Sequence, residues 1–273
     1  LLEYIRYFLV YMKDGEKRYK IGAKYHQFFG VRFAVQETLR ATRPEGNRKI
    51  GVIWHTQGSG KSISMMFFAG MIINYPDMKN PSVVIQVDRA DLDQQLYDTF
   101  KDGENLVGNI HHAESADRLR EILKNESGQI VFSTIEKFRL RKEEAGGEEI
   151  KKEIKHPVLS ERRNIVVVSD EAHRTQYNEG GFAGHLRTAL PNASHIAFTG
   201  TPIDFVGRNT VELFGNYIHV YDMQQAVLDK ATVPIYYESR LIALDNTNAQ
   251  LDEDFEELIS QADSSDKRSK AQI

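Results

Sequence analysis

The stretch from Lys49 to Asn74 constrains the fold more than any other part of the chain. Lys49–Trp54 is an apolar run that reads as a strand, His55–Gly60 is a loop, and Lys61–Asn74 carries apolar residues at helical spacing. In a strand–loop–helix of this kind the loop amides and the helix N-terminus converge on one point, where their partial positive charges hold phosphate oxygens. Gly58 and Gly60 allow the backbone to wrap closely, because a side chain at either position would obstruct the approach. Lys61 is then placed to reach the β- and γ-phosphates, and the Ser62 hydroxyl to ligate Mg2+. Thr56, Gln57, Gly58, Ser59, Gly60, Lys61 and Ser62 form the candidate nucleotide-binding set. One position departs from the G-x-x-x-x-G-K-[ST] pattern: His55 stands where the first glycine is expected.

A second string complements the first. Asn164–Ser169 is a nearly pure β-branched run, and Asp170-Glu171-Ala172-His173 follows it. In an open α/β sheet, the carboxyl ends of the strands are where ligands bind. Asp170 can hold magnesium there, and Glu171 can orient and polarise an attacking water, since phosphoryl transfer is mainly positioning and charge stabilisation. Lys61, Asp170 and Glu171 are thus the candidate catalytic residues, with a nucleoside triphosphate and Mg2+ as the cofactors implied.

Between and around these strings, apolar runs alternate with amphipathic stretches. Strands are expected at Lys49–Trp54, Ser82–Val87, Gln129–Ser133, Asn164–Ser169 and His195–Thr199. Helices are expected at Tyr25–Ala41, Lys61–Asn74, Asp91–Phe100, Ala116–Lys124 and Phe182–Leu190. Short β-branched strands buried on both faces and separated by helices predict an α/β fold: a P-loop NTPase with a parallel, RecA-like sheet sandwiched by helices. Tyr4, Tyr7, Phe8 and Tyr11 read as one face of a packing helix. Residues 137–155 read as a charged, solvated insertion, Val233–Leu241 as a further strand, and the segment from Asp245 as an acidic polar tail. The expected division is a lead-in over 1–24, a motor domain over 25–241, and a linker or the start of a second domain over 242–273.

No apolar run approaches the roughly 20 residues needed to cross a bilayer. The chain opens Leu1-Leu2-Glu3-Tyr4, without an initiator Met and with charge too early for a signal peptide, and reads as a piece of a longer cytoplasmic protein. With no cysteine it has neither disulfides nor thiolate metal sites. A formal net charge of −4 and a pI near 6.2 lack the basic footprint of bulk electrostatic nucleic-acid binding, so a DNA partner would be gripped by local contacts.

Together these strings resemble a helicase superfamily 2 motor and, more narrowly, the restriction (R) subunit of type I restriction-modification enzymes. Trp54-His55-Thr56-Gln57-Gly58-Ser59-Gly60-Lys61-Ser62 resembles motif I of that family, including its histidine. Val87-Asp88-Arg89-Ala90-Asp91-Leu92-Asp93-Gln94-Gln95 resembles motif Ia, and Ser133-Thr134-Ile135-Glu136-Lys137-Phe138 motif Ib. Asp170-Glu171-Ala172-His173-Arg174-Thr175-Gln176-Tyr177 resembles an extended motif II, and Phe198-Thr199-Gly200-Thr201-Pro202-Ile203 motif III. Thr232-Val233-Pro234-Ile235-Tyr236-Tyr237-Glu238-Ser239-Arg240 is similar to a stretch that follows it, and Tyr25-His26-Gln27 to the glutamine element that reads adenine.

The resemblance implies specific roles. Gln27 would hydrogen-bond adenine; His173, Thr199 and Thr201 would couple nucleotide state to DNA contacts; Arg89, Thr134 and Lys137 would track a DNA strand. It implies the first motor domain of a superfamily 2 enzyme that translocates double-stranded DNA. Methylation (M) and specificity (S) subunits would be its partners, and a nuclease domain would lie elsewhere. Glu149-Ile150-Lys151 fits that nuclease's Glu-x-Lys signature only within a charged run and is set aside. Two other readings stand beside it: another superfamily 2 DNA or RNA helicase, and a nucleotide-binding interaction module without motor activity.

Overall fold

A computed structural model describes residues 1–14, 17–87, 90–124, 128–138, 156–170, 182–205, 208–234, 236 and 238. In chain order the elements are α1 (Leu2–Tyr7), β1 (Leu9–Asp14), β2 (Lys17–Gly22), α2 (Tyr25–Ala41), β3 (Lys49–His55), α3 (Lys61–Ile73), β4 (Ser82–Val87), α4 (Ala90–Asp102) and α5 (Glu104–Val107). There follow β5 (Ile110–His112), α6 (Ala116–Lys124), β6 (Gln129–Thr134), β7 (Ile165–Asp170), α7 (Phe182–Ala189) and β8 (Ser194–Thr199). The series closes with β9 (Asp204–Phe205), β10 (Arg208–Asn209), α8 (Thr210–Phe214), β11 (Tyr217–Tyr221) and α9 (Met223–Leu228). Contacts group Leu1–Val233 into one compact unit, which holds all of these elements, and Pro234–Ile273 into another.

Seven strands form one sheet in the order β11-β3-β8-β7-β4-β6-β5, every neighbouring pair parallel. The reason is visible along the strands. Val83, Ile85 and Val87 of β4, with Val166 and Val168 of β7 and Ile196 and Phe198 of β8, join a core with α3 and α4. The intervening Val84, Ile165 and Val167 join a second core with Leu119, Ile122 and Leu123 of α6 and Leu186 and Ala189 of α7. Strands apolar on both faces need cover on both, and helical crossovers supply it. Each fully buried Phe or Ile stabilises the fold by about 1.5–3 kcal/mol relative to exposure. The result is the α/β, RecA-like sandwich expected from the sequence.

The strands and helices predicted between Tyr25 and Thr199 are present, with ends shifted by a residue or two. The N-terminal stretch differs: α1 ends at Tyr7, and Tyr11 lies in β1, which pairs antiparallel with β2. Leu9–Met12 is an unbroken apolar run, and Asp14-Gly15 is a hairpin signal that a helical reading of the aromatics passes over. Phe8 nevertheless packs into the core, its ring 5.4 Å from that of Phe67. Edge strand β11 was not anticipated. Val233 and Pro234, placed by the sequence in a further strand, lie outside any strand, and Ile235, Tyr237 and residues 239–241 lie outside the described residues. Residues 139–155 and the acidic segment from Asp245 also lie outside them. Among the described residues no helix is long and apolar enough to cross a membrane.

Candidate functional site

β3 ends at His55 and α3 begins at Lys61, so the sheet delivers the loop to its carboxyl edge. Gly58 (φ +77°) and Gly60 (φ +83°) both take the left-handed conformation that favours glycine. At Gly60 a second constraint applies, because a Cβ there would lie 2.7 Å from Gln27 Nε2. Within the loop, Ser59 Oγ donates to Thr56 O at 2.6 Å, and Ser59 N to the same carbonyl at 3.3 Å. No side chain caps α3 at Gly60, and its first turn holds no acidic residue. The N-terminal amides of a 13-residue helix are thus offered to an anion.

Three elements hold this loop from outside. From α2, Gln27 Nε2 donates to Gly60 O at 3.0 Å, while Gln27 Oε1 accepts from Lys24 N at 2.8 Å. From the same helix, His26 Nε2 lies 3.0 Å from Ser59 O. From β11, Tyr221 O accepts from Thr56 N at 2.9 Å. From the end of β8, Gly200 O accepts from Trp54 Nε1 at 3.1 Å. A Cβ on Gly200 would stand 3.3 Å from Lys61 Nζ and 3.5 Å from Gln57 N, so glycine keeps the space in front of the lysine clear. Thr232 also approaches the loop, its methyl 3.3 Å from where a Cβ on Gly58 would be.

Asp170 closes β7, and β8 separates it from β3: Asp170 pairs with Phe198, and Thr199 pairs with Trp54. Two ladder spacings put β7 about 10 Å from β3 at the same edge, a span suited to a phosphate chain and its cation. A serine hydroxyl at the start of α3 and a half-buried carboxylate at the end of β7 are hard oxygen donors of the kind Mg2+ takes. The glycine cradle leaves room for the phosphates between them, so the residues present fit Mg2+ and a nucleoside triphosphate.

Thr199 is buried, and its Oγ1 accepts from Thr201 N at 3.1 Å, which fixes the turn containing Gly200. Thr134 ends β6, opposite Val87 of β4, and Lys137 follows in the 3-10 turn Ile135–Phe138. Both share the carboxyl edge with the loop but lie beyond β7 and β4 from it. Glu171, His173 and Arg89 lie outside the described residues.

Sequence reasoning did not single out His26, Gly200, His219 and Tyr221. His55 Nε2 lies 2.9 Å from His219 Nδ1, and the His26 ring stacks on Tyr221 with centroids 3.8 Å apart at 7°. Burial pushes His55 down to about 3, helped by nearby His219, His26 and Lys61, and burial lowers His219 and His26 as well. All three imidazoles are therefore neutral near pH 7. Tyr221 is pushed up to about 12 by burial and by its hydrogen bond to Asp229. The signal for β11 was present in Tyr217-Ile218-His219-Val220-Tyr221, an aromatic and β-branched run between Gly215-Asn216 and Asp222.

Comparison with known proteins places this arrangement in context. The SWI2/SNF2 ATPase family model matches residues 26–268. The chain is 49% identical over 251 residues to the type I restriction enzyme HindI endonuclease subunit of Haemophilus influenzae, covering 87% of this chain and 23% of that protein. It is 40% identical over 277 residues to the putative type I restriction enzyme MjaIXP endonuclease subunit of Methanocaldococcus jannaschii, covering 100% of this chain and 25% of the relative. It thus spans about a quarter of the length of these curated relatives. Among solved structures, the ATP-dependent type ISP restriction-modification enzyme LlaBIII, bound to DNA, shares the fold with a TM-score of 0.51 at 15% identity, over 79% of this chain and 16% of that one. The resemblance to type I restriction subunits read from the motifs is borne out, and the chain belongs to the SWI2/SNF2 ATPase family.

Proposed function

We propose that this chain is the ATP-hydrolysing motor portion of a type I restriction endonuclease subunit, and that hydrolysis drives translocation along double-stranded DNA. The observation that carries the reading is the phosphate cradle: left-handed Gly58 and Gly60 ahead of an uncapped α3, with Lys61 beside the cleared space at Gly200. Its presence in a chain so similar to type I endonuclease subunits supports the restriction context.

In this reading the loop amides and Lys61 bind the phosphates, and Ser62 and Asp170 hold Mg2+. When bound, the ion neutralises and orients phosphate oxygens. Glu171 follows Asp170 in sequence and would orient the attacking water. Gln27 Nε2 donates to Gly60 O at 3.0 Å and reaches Ser59 O at 3.5 Å, so the adenine edge would be met by the second lone pair of Oε1 or by releasing the longer of these bonds. Thr199, Thr201 and His173 would pass nucleotide state to a DNA-facing edge formed by Arg89, Thr134 and Lys137. Residues 25–241 would form the first of two motor domains, acting in the cytoplasm with methylation and specificity subunits.

The test is ATP hydrolysis by the full-length protein with its candidate partner subunits, with duplex DNA, single-stranded RNA or neither. Stimulation by duplex DNA is expected, together with loss of turnover and retained ATP binding in Glu171→Gln. A response to RNA alone would make the protein a helicase of another kind, and normal turnover in Glu171→Gln would remove that residue from the mechanism.

A further inference from the structure

Behind the phosphate loop runs a connected row of rings. Its outer end is His219 on β11, an edge strand of the sheet that, among the described residues, pairs only with β3. The two imidazoles, His219 Nδ1 and His55 Nε2, are 2.9 Å apart and rest against Gly30 of α2, where a Cβ would lie 3.3–3.4 Å from both rings. His55 stands edge-on to His26 with centroids 5.4 Å apart, and His26 Nε2 reaches Ser59 O at 3.0 Å. Tyr221 lies flat beneath His26 and takes the Thr56 amide on its own carbonyl. One residue of β11 thereby bonds the start of the loop directly and bears on its end through His26. The Tyr221 hydroxyl donates to Asp229 at 3.0 Å, which fixes the ring from its far side.

Hydrogen-bond accounting assigns the tautomers. His55 Nδ1 and His26 Nδ1 are buried and have no hydrogen-bond partner among the described residues. An orphaned N–H at either place would cost more than an orphaned lone pair of a neutral ring, so both rings carry their proton on Nε2. His26 then donates to Ser59 O, and His55 donates to His219 Nδ1, which must be unprotonated.

We infer that His219 and Tyr221 are positioning residues of the phosphate loop, setting its backbone shape through His55 and His26 from the edge of the sheet. The inference rests on the proposed role of the loop as the nucleotide's phosphate site. Neither residue touches the phosphates. His219 supplies the acceptor that keeps the His55 ring in place where a P-loop ordinarily has glycine. Tyr221 supports the ring that holds Ser59 O.

The test is ATP hydrolysis against ATP concentration for the full-length protein with its DNA stimulus, comparing wild type, His219→Leu, His219→Asn, Tyr221→Leu and Lys61→Ala, with thermal melting as the control for folding. His219→Leu and Tyr221→Leu are expected to raise KM for ATP about tenfold while kcat changes by less than about threefold, the pattern of a loop displaced before chemistry. His219→Asn presents Oδ1 near the place of Nδ1 and is expected to restore KM to within about twofold of wild type. A wild-type KM in folded His219→Leu, or an Asn variant as impaired as the Leu variant, would overturn the inference. Should His219→Leu fail to fold, the Asn variant decides by the same criterion. If Lys61→Ala hydrolyses ATP normally, the loop is not the phosphate site and both readings fall. If it does not, the His219 result bears on the positioning role alone.

Discussion

Gln27 holds Gly60 by its side-chain amide: Nε2 donates to the glycine carbonyl at 3.0 Å while Oε1 accepts from Lys24 N. The residue is buried, so truncating it leaves those backbone groups to find other partners. Gln27→Ala is expected to cost about 1–3 kcal/mol of stability and to raise KM for ATP, read by thermal denaturation and steady-state hydrolysis. Gln27→Glu keeps the acceptor for Lys24 N but sets a carboxylate against Gly60 O, so it should impair KM at least as much. An effect on KM without any loss of stability would place the amide in nucleotide binding alone.

Gly60→Ala should be worse than an ordinary loop substitution. It puts a Cβ at a left-handed φ of +83° and 2.7 Å from Gln27 Nε2. The backbone penalty alone is about 1–2 kcal/mol. We expect a lower melting temperature and loss of ATP hydrolysis, whereas alanine at Gly108, which also has positive φ but no neighbour within 4 Å of its Cβ position, should affect stability only.

Gly200→Val tests the space in front of Lys61. A Cβ alone would stand 3.3 Å from Nζ, and the added methyls of valine have to displace the lysine or the Gln57 amide. The expected outcome is a fold that melts within a few degrees of wild type but has lost most nucleotide affinity, measured by equilibrium ATP binding. Unchanged affinity would mean that the lysine works from another position.

Acid should destabilise the fold through its buried histidines. Burial holds both His55 and His195 at about 3, well below the ordinary histidine value of about 6.5. The unfolded chain therefore binds more protons than the folded one, and the stability present above about pH 6.5 is lost as pH falls towards 3. At about pH 5 the linkage is on the order of 1–2 kcal/mol for each residue. Melting temperatures measured from about pH 7.5 to 5 should fall, and His195→Leu should make the decline shallower. An equal decline in that variant would remove His195 as a contributor.

Much of the fold was legible because its strands are apolar on both faces. Val83–Val87 and Ile165–Val168 admit little besides a buried parallel strand, and α2 follows the expected Tyr25–Ala41 span. The glycine loop between β3 and α3 was legible because its parts are local, all between Trp54 and Ser62. What holds that loop was not, because its parts are distant in sequence: residues 26, 27, 55, 200, 219 and 221 meet only when β11 and β8 flank β3. Strand β11 escaped notice because it lies at the edge, half exposed, and alternates too briefly to stand out from the loops around it. The N-terminal aromatics were misread as one helix for a related reason, since Tyr11 and Tyr19 are exposed on paired strands that the sequence announces only by the dipeptide Asp14-Gly15.

The measurement that bears most directly on the central claim is DNA-stimulated ATP hydrolysis by the full-length protein, wild type beside Lys61→Ala. Turnover that rises with duplex DNA and falls by about a hundredfold or more in the variant is the expected result. Hydrolysis that persists in Lys61→Ala, or that ignores duplex DNA, would contradict the assignment of this cradle to an ATP-driven DNA motor.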